Sequence, residues 1–238
     1  MMLSFDRTKM DETGEVSFSM QIHHVGEYNR DQWITFQAVR EACNSMASAE
    51  KVKLRDTFQS YLSFRRELDS YHTTYLETFC RRFCFETGLS ACCGFESIIT
   101  FFADHVISFL LSTDEEMEAI FDVLQQPNRS GKCVYLGKTG CIWKVRPIAC
   151  AMFVCGHLKA GCIENNPELQ SLWTEFQSRE KEYTWPTGPV IFDDLEKVFI
   201  GFGVKSPHMH FHQSPGLLRL KAEAGLITGK PRTLRAPS

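Results

Sequence analysis

The chain has 238 residues, 43% apolar and 23% charged, with 29 acidic against 26 basic side chains and a net charge of −3. This composition excludes a disordered chain, and the length is enough to bury a real core in one domain, 1–238, without disulfides. The mildly acidic balance argues against non-specific binding to nucleic acid or to an anionic membrane surface.

Residues 1–18 contain no long apolar stretch, so no secretory signal is expected and the reducing cytoplasm is the expected compartment. Val16, Phe18, Met20 and Ile22 alternate, which predicts a half-buried strand or extended arm ending at His23-His24. From about 45 to 83 the period lengthens. Tyr61, Phe64, Leu68, Tyr71, Tyr75 and Phe79 recur every three or four residues, one apolar stripe on a long helix. Ser97 to Ser112 is the most apolar stretch. It is too short to span a bilayer and carries Asp104 and His105, so it reads as a buried core helix.

Thr113 and Glu116 form a capping box ahead of Met117, Ile120, Phe121 and Leu124, and Pro127 stops that helix. Val134–Leu136 and Cys141–Val145 flank Gly137 and Gly140 as a short hairpin. Asn166-Pro167 opens a helix through Leu169, Leu172, Trp173 and Phe176. The breaker-rich 185–190 and a short helix near 192–200 follow. Ser214-Pro215 caps a last helix with Gly225 at its C-cap, and 229–238 reads as a disordered tail. The expected class is mostly α with a few short strands, the helices packed around a cysteine-rich metal site.

Ten cysteines need an explanation, because a chain of this length does not need disulfides to fold. In a reducing compartment, patterned cysteines serve as metal ligands or redox groups more often than as disulfides. Nine of them lie between Cys80 and Cys162, which marks 79–162 as a cysteine-cluster core. Cys43 stands apart and reads as a small buried hydrophobe.

Cys80 and Cys84 share one face if the helix persists through them. Two thiolates on one tetrahedral metal sit roughly 3.8 Å apart, within reach of such a pair. Gly88 breaks the helix before Cys92 and Cys93. That adjacent pair can share a metal only if the chain turns there, since extended neighbours point opposite ways. The hairpin brings Cys133 and Cys141 together. Cys150 and Cys155 would lie about 140° apart on one helix, so they face one site only if the helix beginning at Pro147 ends between them.

A buried thiolate site is anionic and needs cations or N–H donors. Arg81, Arg82, Lys132, Lys144 and Arg146 neighbour the cysteines in sequence. Arg146, fixed by the following Pro147, is the one expected to be buried against a sulfur or an orienting carboxylate. A solvated helix face is the competing reading of Arg81 and Arg82.

The stretch from Cys133 to Cys155 resembles the second half of the YkgJ-type cysteine-cluster family, described as a zinc- or iron-chelating domain. The matching positions are Cys133, Cys141, Trp143, Arg146, Pro147 and Cys150. Cys80, Cys84, Cys92 and Cys93 match the family's looser first half, so the resemblance covers about 79–156. It implies that Cys80, Cys84, Cys92, Cys93, Cys133, Cys141, Cys150 and Cys155 hold an iron–sulfur cluster or zinc. The flagellin lysine N-methylases, a related group, show a similar gap between Cys80 and Cys84 and are thought to hold an iron–sulfur cluster.

Other features carry less. Gly131 and Gly137 in GKCVYLGKT are spaced too widely for a phosphate loop and precede a strand. His208, His210 and His212 would form a second metal face on a strand and ordinary polar residues on a loop. His157, two residues after Cys155, is a candidate to replace a thiolate.

Three functions remain open: a cytoplasmic metal-binding protein with a binding or redox role, a cluster-dependent protein lysine N-methylase, or an interaction module stapled by structural zinc. No paired carboxylates, Ser/His/Asp set or dinucleotide loop names a catalytic residue. A metal ion or cluster is the expected partner, with a protein partner left open.

Overall fold

The computed structural model describes residues 26–94, 99–128, 131–184 and 190–210. The expected strand at 15–22, the Ser214-Pro215 helix, His212 and the tail at 229–238 lie outside the described residues. Within them the chain is mostly helical with one small two-stranded sheet, as the periodicities require.

Helix α1 (Glu27–Ser45) turns Phe36, Val39 and Cys43 inward, and buries Asn29, Gln32 and Thr35 as well. Helix α2 (Ser48–Thr57) follows, then α3 (Gln59–Tyr71), whose Tyr61, Phe64, Leu68 and Tyr71 are all buried. The stripe expected in the sequence then breaks. Residues His72–Leu76 form a π turn, closed by the Glu77 N–H donating to the His72 carbonyl. One extra residue in a turn rotates everything beyond it relative to α-helical phase. Leu76 therefore takes the buried position, 1% exposed, while Tyr75 is left 46% exposed. Helix α4 (Glu77–Cys80) continues into a second π turn, Arg81–Phe85.

Helix α5 (Phe102–Leu111) is the middle of the fold and packs on α1 and α2. Every residue from Phe102 to Ser108 is buried, which explains a stretch apolar on nearly all sides. Helix α6 (Asp114–Leu124) begins at the expected capping box: Thr113 Oγ1 accepts from the Glu116 N–H, and Glu116 accepts from the Thr113 N–H. Strands β1 (Leu136–Gly137) and β2 (Gly140–Cys141) form the hairpin, with Leu136 opposite Cys141. Gly137 thus lies in a strand, which settles against a phosphate loop.

After the one-turn helices α7 (Ile148–Ala151) and α8 (Gly156–Leu158), a third π turn covers Lys159–Ile163. Helix α9 (Pro167–Thr184) starts where Asn166 Oδ1 accepts from the N–H groups of Glu168 and Leu169. Helix α10 (Ile191–Gly201) packs on α5 and α9. Among the described residues, no helix is long and apolar enough to cross a membrane.

The core has two parts. The larger joins Phe58, Phe64, Leu68, Phe102, Ile107, Trp173 and Phe199. The smaller joins Phe36, Met117, Ile120, Phe121, Tyr135 and Trp143, and so lies under the hairpin. Buried polar groups stitch the two. Gln32 Nε2 lies 2.5 Å from Thr100 Oγ1 and 3.1 Å from His208 Nε2; Tyr135 donates to Gln32 Oε1 at 2.8 Å. The buried rings of His105 and His208 stand 4.5 Å apart.

Candidate metal centre

Four short segments bring the cysteines to one side of this frame. The first is α4 with its π turn, carrying Cys80 and Cys84. The second turns sharply after Gly88, with φ of 72° there and the left-handed φ of 37° at the buried Ser90. Residues Ala91–Cys93 then make a single 3₁₀ turn. The chain therefore does turn at the adjacent pair, and Cys92 Sγ stands 3.9 Å from Cys93 Sγ. That is close to the roughly 3.8 Å between two thiolates on one tetrahedral metal.

The third segment is the hairpin. The Cys133 N–H donates to the Cys93 carbonyl at 2.7 Å, and Gly94 pairs with Lys132, so the adjacent pair is pinned to the approach of β1. The Lys132 ammonium also donates to the Leu89 carbonyl. Cys141 ends β2, across from Leu136.

The fourth segment runs from Arg146 to Cys162. Two buried charges fix its start. Arg65, 2% exposed, donates from Nη1 to the Arg146 carbonyl at 2.7 Å. Asp104, 3% exposed, accepts from the Phe101 N–H and from the Ile148 N–H at 3.0 Å. Pro147 is the N-cap residue of α7, and Met152 already ends that helix. The helix thus stops between Cys150 and Cys155, as facing one site requires, and Cys155 starts α8 instead.

Three sulfurs accept backbone N–H bonds: Cys84 from Ala91 at 3.2 Å, Cys133 from Tyr135 at 3.4 Å and Cys155 from Leu158 at 3.5 Å. Such donors stabilise thiolate sulfur and tune bound metals. The thiols also act on one another. Burial pushes the Cys80 thiol up to about 11, with Cys92, Cys84, Cys155 and Cys162 adding to the rise. Burial raises Cys133 to about 12, helped by Cys141 and Cys92, and Cys150 to about 12, helped by Cys141 and Cys133. Cys141 is raised by burial as well. Within the adjacent pair, the bond from Cys93 lowers Cys92 and correspondingly raises Cys93, which also feels Cys133 and Cys141.

Of the eight expected residues, the geometry joins Cys92, Cys93 and Cys133 directly, and the mutual electrostatic effects extend from these to Cys141 and Cys150 on one side and to Cys80, Cys84, Cys155 and also Cys162 on the other. Cys43 stands outside this set: it is 1% exposed in the larger core, and burial raises it to about 11. Among the described residues, no three His, Cys, Asp or Glu side chains converge on a point ready to hold a metal ion. Cys92 and Cys93 have the chemistry and the spacing of two thiolate ligands, and among the described residues no third ligand converges on them.

Arg146 is half-exposed rather than buried, its side chain 37% accessible, because Asp69 holds the guanidinium at 3.6 Å toward the surface. It does point at a carboxylate, and its charge favours the thiolates of Cys92, Cys141 and Cys150. Lys132 acts on Cys92 in the same sense. Arg81 instead pairs with Glu86 at 2.9 Å on an exposed face, and Lys144 pairs with Glu116 at 2.9 Å. The buried cation of the region is Arg65, which the sequence disguised as one more polar position between Phe64 and Leu68.

The histidine candidates fall away from the patch. Residues Pro207–His210 form a 3₁₀ turn, not a strand, and His208 Nδ1 faces Thr35 Oγ1 at 2.6 Å inside the protein. The side chain of His210 is outside the described residues, and His157 is exposed on α8. No family model, curated protein or solved structure matches the chain.

Proposed function

We propose that the chain is a metal-binding protein whose clustered cysteines hold zinc or an iron–sulfur cluster. One observation carries this reading: the chain turns so that Cys92 Sγ stands 3.9 Å from Cys93 Sγ, and Cys93 is bonded to Cys133 at the head of the hairpin that ends in Cys141. Cys80, Cys84, Cys150 and Cys155 complete the proposed set of eight. The thiols that burial raises stay protonated near neutral pH, and a bound cation would displace those protons and hold the sulfurs as thiolates. The resemblance of Cys133–Cys155 to the YkgJ-type pattern supports the same conclusion.

In this reading the eight cysteines are the ligands, and the loaded centre supplies either a structural clamp or electron-transfer chemistry. Arg146 and Lys132 offset the negative charge of the thiolates, and the N–H groups of Ala91, Tyr135 and Leu158 hold three sulfurs in place. Phe83, next to Cys84, and Phe153, two residues before Cys155, are 61% and 46% exposed and give a protein partner apolar surface to meet. A reducing compartment such as the cytoplasm keeps the thiols available.

The test is the ultraviolet–visible spectrum and metal content of anaerobically purified protein. Colourless protein with stoichiometric zinc, or brown protein with iron and sulfide, is the expected outcome. Protein that arrives without metal, and that binds neither zinc nor a reconstituted cluster, refutes the proposal.

A further inference from the structure

The closest sulfurs of the cysteine region form a pair, not a shell. Cys92 Sγ and Cys93 Sγ stand 3.9 Å apart, and among the described residues no third ligand converges on them. Neighbouring residues of an extended chain point to opposite faces, so adjacent sulfurs meet only where the backbone is bent to bring them together. Here the bend is made at Gly88 and Ser90, with φ of 72° and 37°, and by the 3₁₀ turn Ala91–Cys93.

Ser90 makes the bend specific. A serine in the left-handed region is strained and persists only where its surroundings hold it. The buried Ser90 donates its N–H to the Cys84 carbonyl at 3.0 Å, and its carbonyl accepts from the Cys93 N–H at 2.9 Å. The Cys93 carbonyl accepts in turn from the Cys133 N–H at 2.7 Å. Cys93 is thus tied at both its N–H and its carbonyl, and it is half-buried, whereas Cys92 is exposed. One sulfur meets solvent and the other is held beside it.

We propose that Cys92 and Cys93 form a redox-active dithiol that exchanges with disulfides, Cys92 as the attacking sulfur and Cys93 as the resolving one. The substrate class is the disulfide of a small thiol or of a protein. Cys92 gives its proton to solvent and bonds to one substrate sulfur; the substrate S–S bond breaks, and the departing sulfur takes up a proton. Cys93 then loses its proton, bonds to Cys92 Sγ and displaces the second substrate sulfur, which is protonated in turn. The substrate is reduced to two thiols and the pair is oxidised to one disulfide, with no further oxidant or reductant. Consecutive Cα atoms lie about 3.8 Å apart, nearer than the roughly 4.4–6.8 Å of an ordinary disulfide, so the closed pair is strained and easily reopened. Two sulfurs suffice for this chemistry, so it goes beyond the metal-binding reading and does not depend on it.

The experiment uses the full chain, reduced and dialysed against a chelator so that no bound metal shields the sulfurs. It is exposed to oxidised glutathione or to the disulfides of insulin, and free thiols are then alkylated. Cleavage after Phe85 and Leu89 separates Cys84 from the pair for mass spectrometry. The peptide holding Cys92 and Cys93 should escape alkylation and be lighter by two hydrogens, and reduced glutathione alone should reopen it. The faster of the two oxidants identifies the source of the substrate. Cys93→Ser should trap the substrate thiol on Cys92 as a stable mixed disulfide. Cys92→Ser should form an adduct on Cys93 at least about tenfold more slowly, because that sulfur is less exposed.

A wild-type pair that stays open to alkylation with both oxidants, or a disulfide that joins Cys92 or Cys93 to another cysteine instead, overturns the proposal without any variant having to fold. Adducts that form equally fast on either sulfur overturn the role given to Cys92. Zinc uptake by the reduced chain is measured separately. A chain that closes the pair but takes up no metal refutes only the metal-binding reading, and a chain that takes up metal but never closes the pair refutes only the dithiol.

Discussion

Around Phe64 the chain packs rings: Tyr183 stacks at 5.3 Å, with Phe176 at 6.1 Å and Tyr61 at 6.3 Å between centroids. Around Cys92 it packs thiols in one-turn helices and a two-residue hairpin, with single backbone bonds joining one segment to the next. The first region is stabilised by every side chain it buries. In the second, each sulfur that ionises makes its neighbours harder to ionise. On the proposed reading, folding and metal binding belong to different parts of one chain, and the two parts should fail independently.

The largest effect should come from the ring-packed region. Phe64→Ala removes a fully buried ring and should cost about 3–5 kcal/mol in urea unfolding. Zinc or cluster content per folded chain should stay unchanged. Loss of metal at temperatures where the variant is still folded would break the separation.

Acid should act next, and through the core. His208 is held down to about 4 by burial, and burial keeps His105 well below its ordinary value of 6.5. As pH falls through 6.5 the unfolded chain takes up protons that these folded histidines refuse, so stability falls. Asp104 opposes this, because burial raises its folded carboxyl to about 6 and it gains a proton before the unfolded residue does. Each histidine should cost up to about 1.4 kcal/mol per pH unit below 6.5, and below about 6 Asp104 should return about as much as one of them, a net loss from these three groups on the order of 1.4 kcal/mol per pH unit. Urea midpoints at pH 7 and 5.5 measure it, and His208→Gln should flatten the dependence.

A chelator sharpens the comparison from the other side. Removing metal should speed hydrogen exchange of the amides from 131 to 142 by roughly tenfold, a local opening of about 1.4 kcal/mol. The amides of α3 and α9 should exchange as before. Equal acceleration everywhere would mean that the metal holds the whole fold.

The smallest effect belongs to the surface ion pair. Asp69→Asn frees a half-exposed Arg146 held at 3.6 Å and should change stability by less than about 1 kcal/mol. Arg146→Ala should weaken zinc retention during dialysis against a chelator measurably, and Arg146→Lys less so.

The helices were legible because their signals are local. The capping box at Thr113, the Asn166-Pro167 start of α9 and the stripe from Tyr61 to Tyr71 all act within a turn or two. The hairpin followed from its glycines, and the start of α7 from Pro147, while the end of that helix before Cys155 was left open and is supplied by the structure. What stayed hidden depends on distant partners. Asp104 reads as a flaw in an apolar helix until the Ile148 N–H, far along the chain, is seen to need an acceptor. Arg65 reads as a surface position until the Arg146 carbonyl reaches it. Burial of Arg146 was expected from the need for a cation near thiolates, yet Asp69 holds the side chain at the surface while its charge still acts on the patch. The gathering of eight cysteines was expected from their clustering; what the geometry joins directly is Cys92 to Cys93 and Cys93 to Cys133, through a turn at Gly88 and Ser90 and a backbone bond between distant segments.

The π turns at His72–Leu76 and Arg81–Phe85 set how the arrangement responds to chain length as well as to side-chain identity. Each holds one residue more than an α-helical turn would. Deleting Thr73 would leave every cysteine in place in the sequence and would cost the helix little. The wide turn absorbs the surplus residue, so the same deletion would close it to an ordinary α-helical turn and leave Leu76 facing inward and Cys80 and Cys84 on the side they already occupy. A deletion within the regular helix α3, which has no surplus residue, would instead turn the part that follows by about 100° about the helix axis. The same change in length is thus tolerated in one turn of this chain and disruptive in the turn before it.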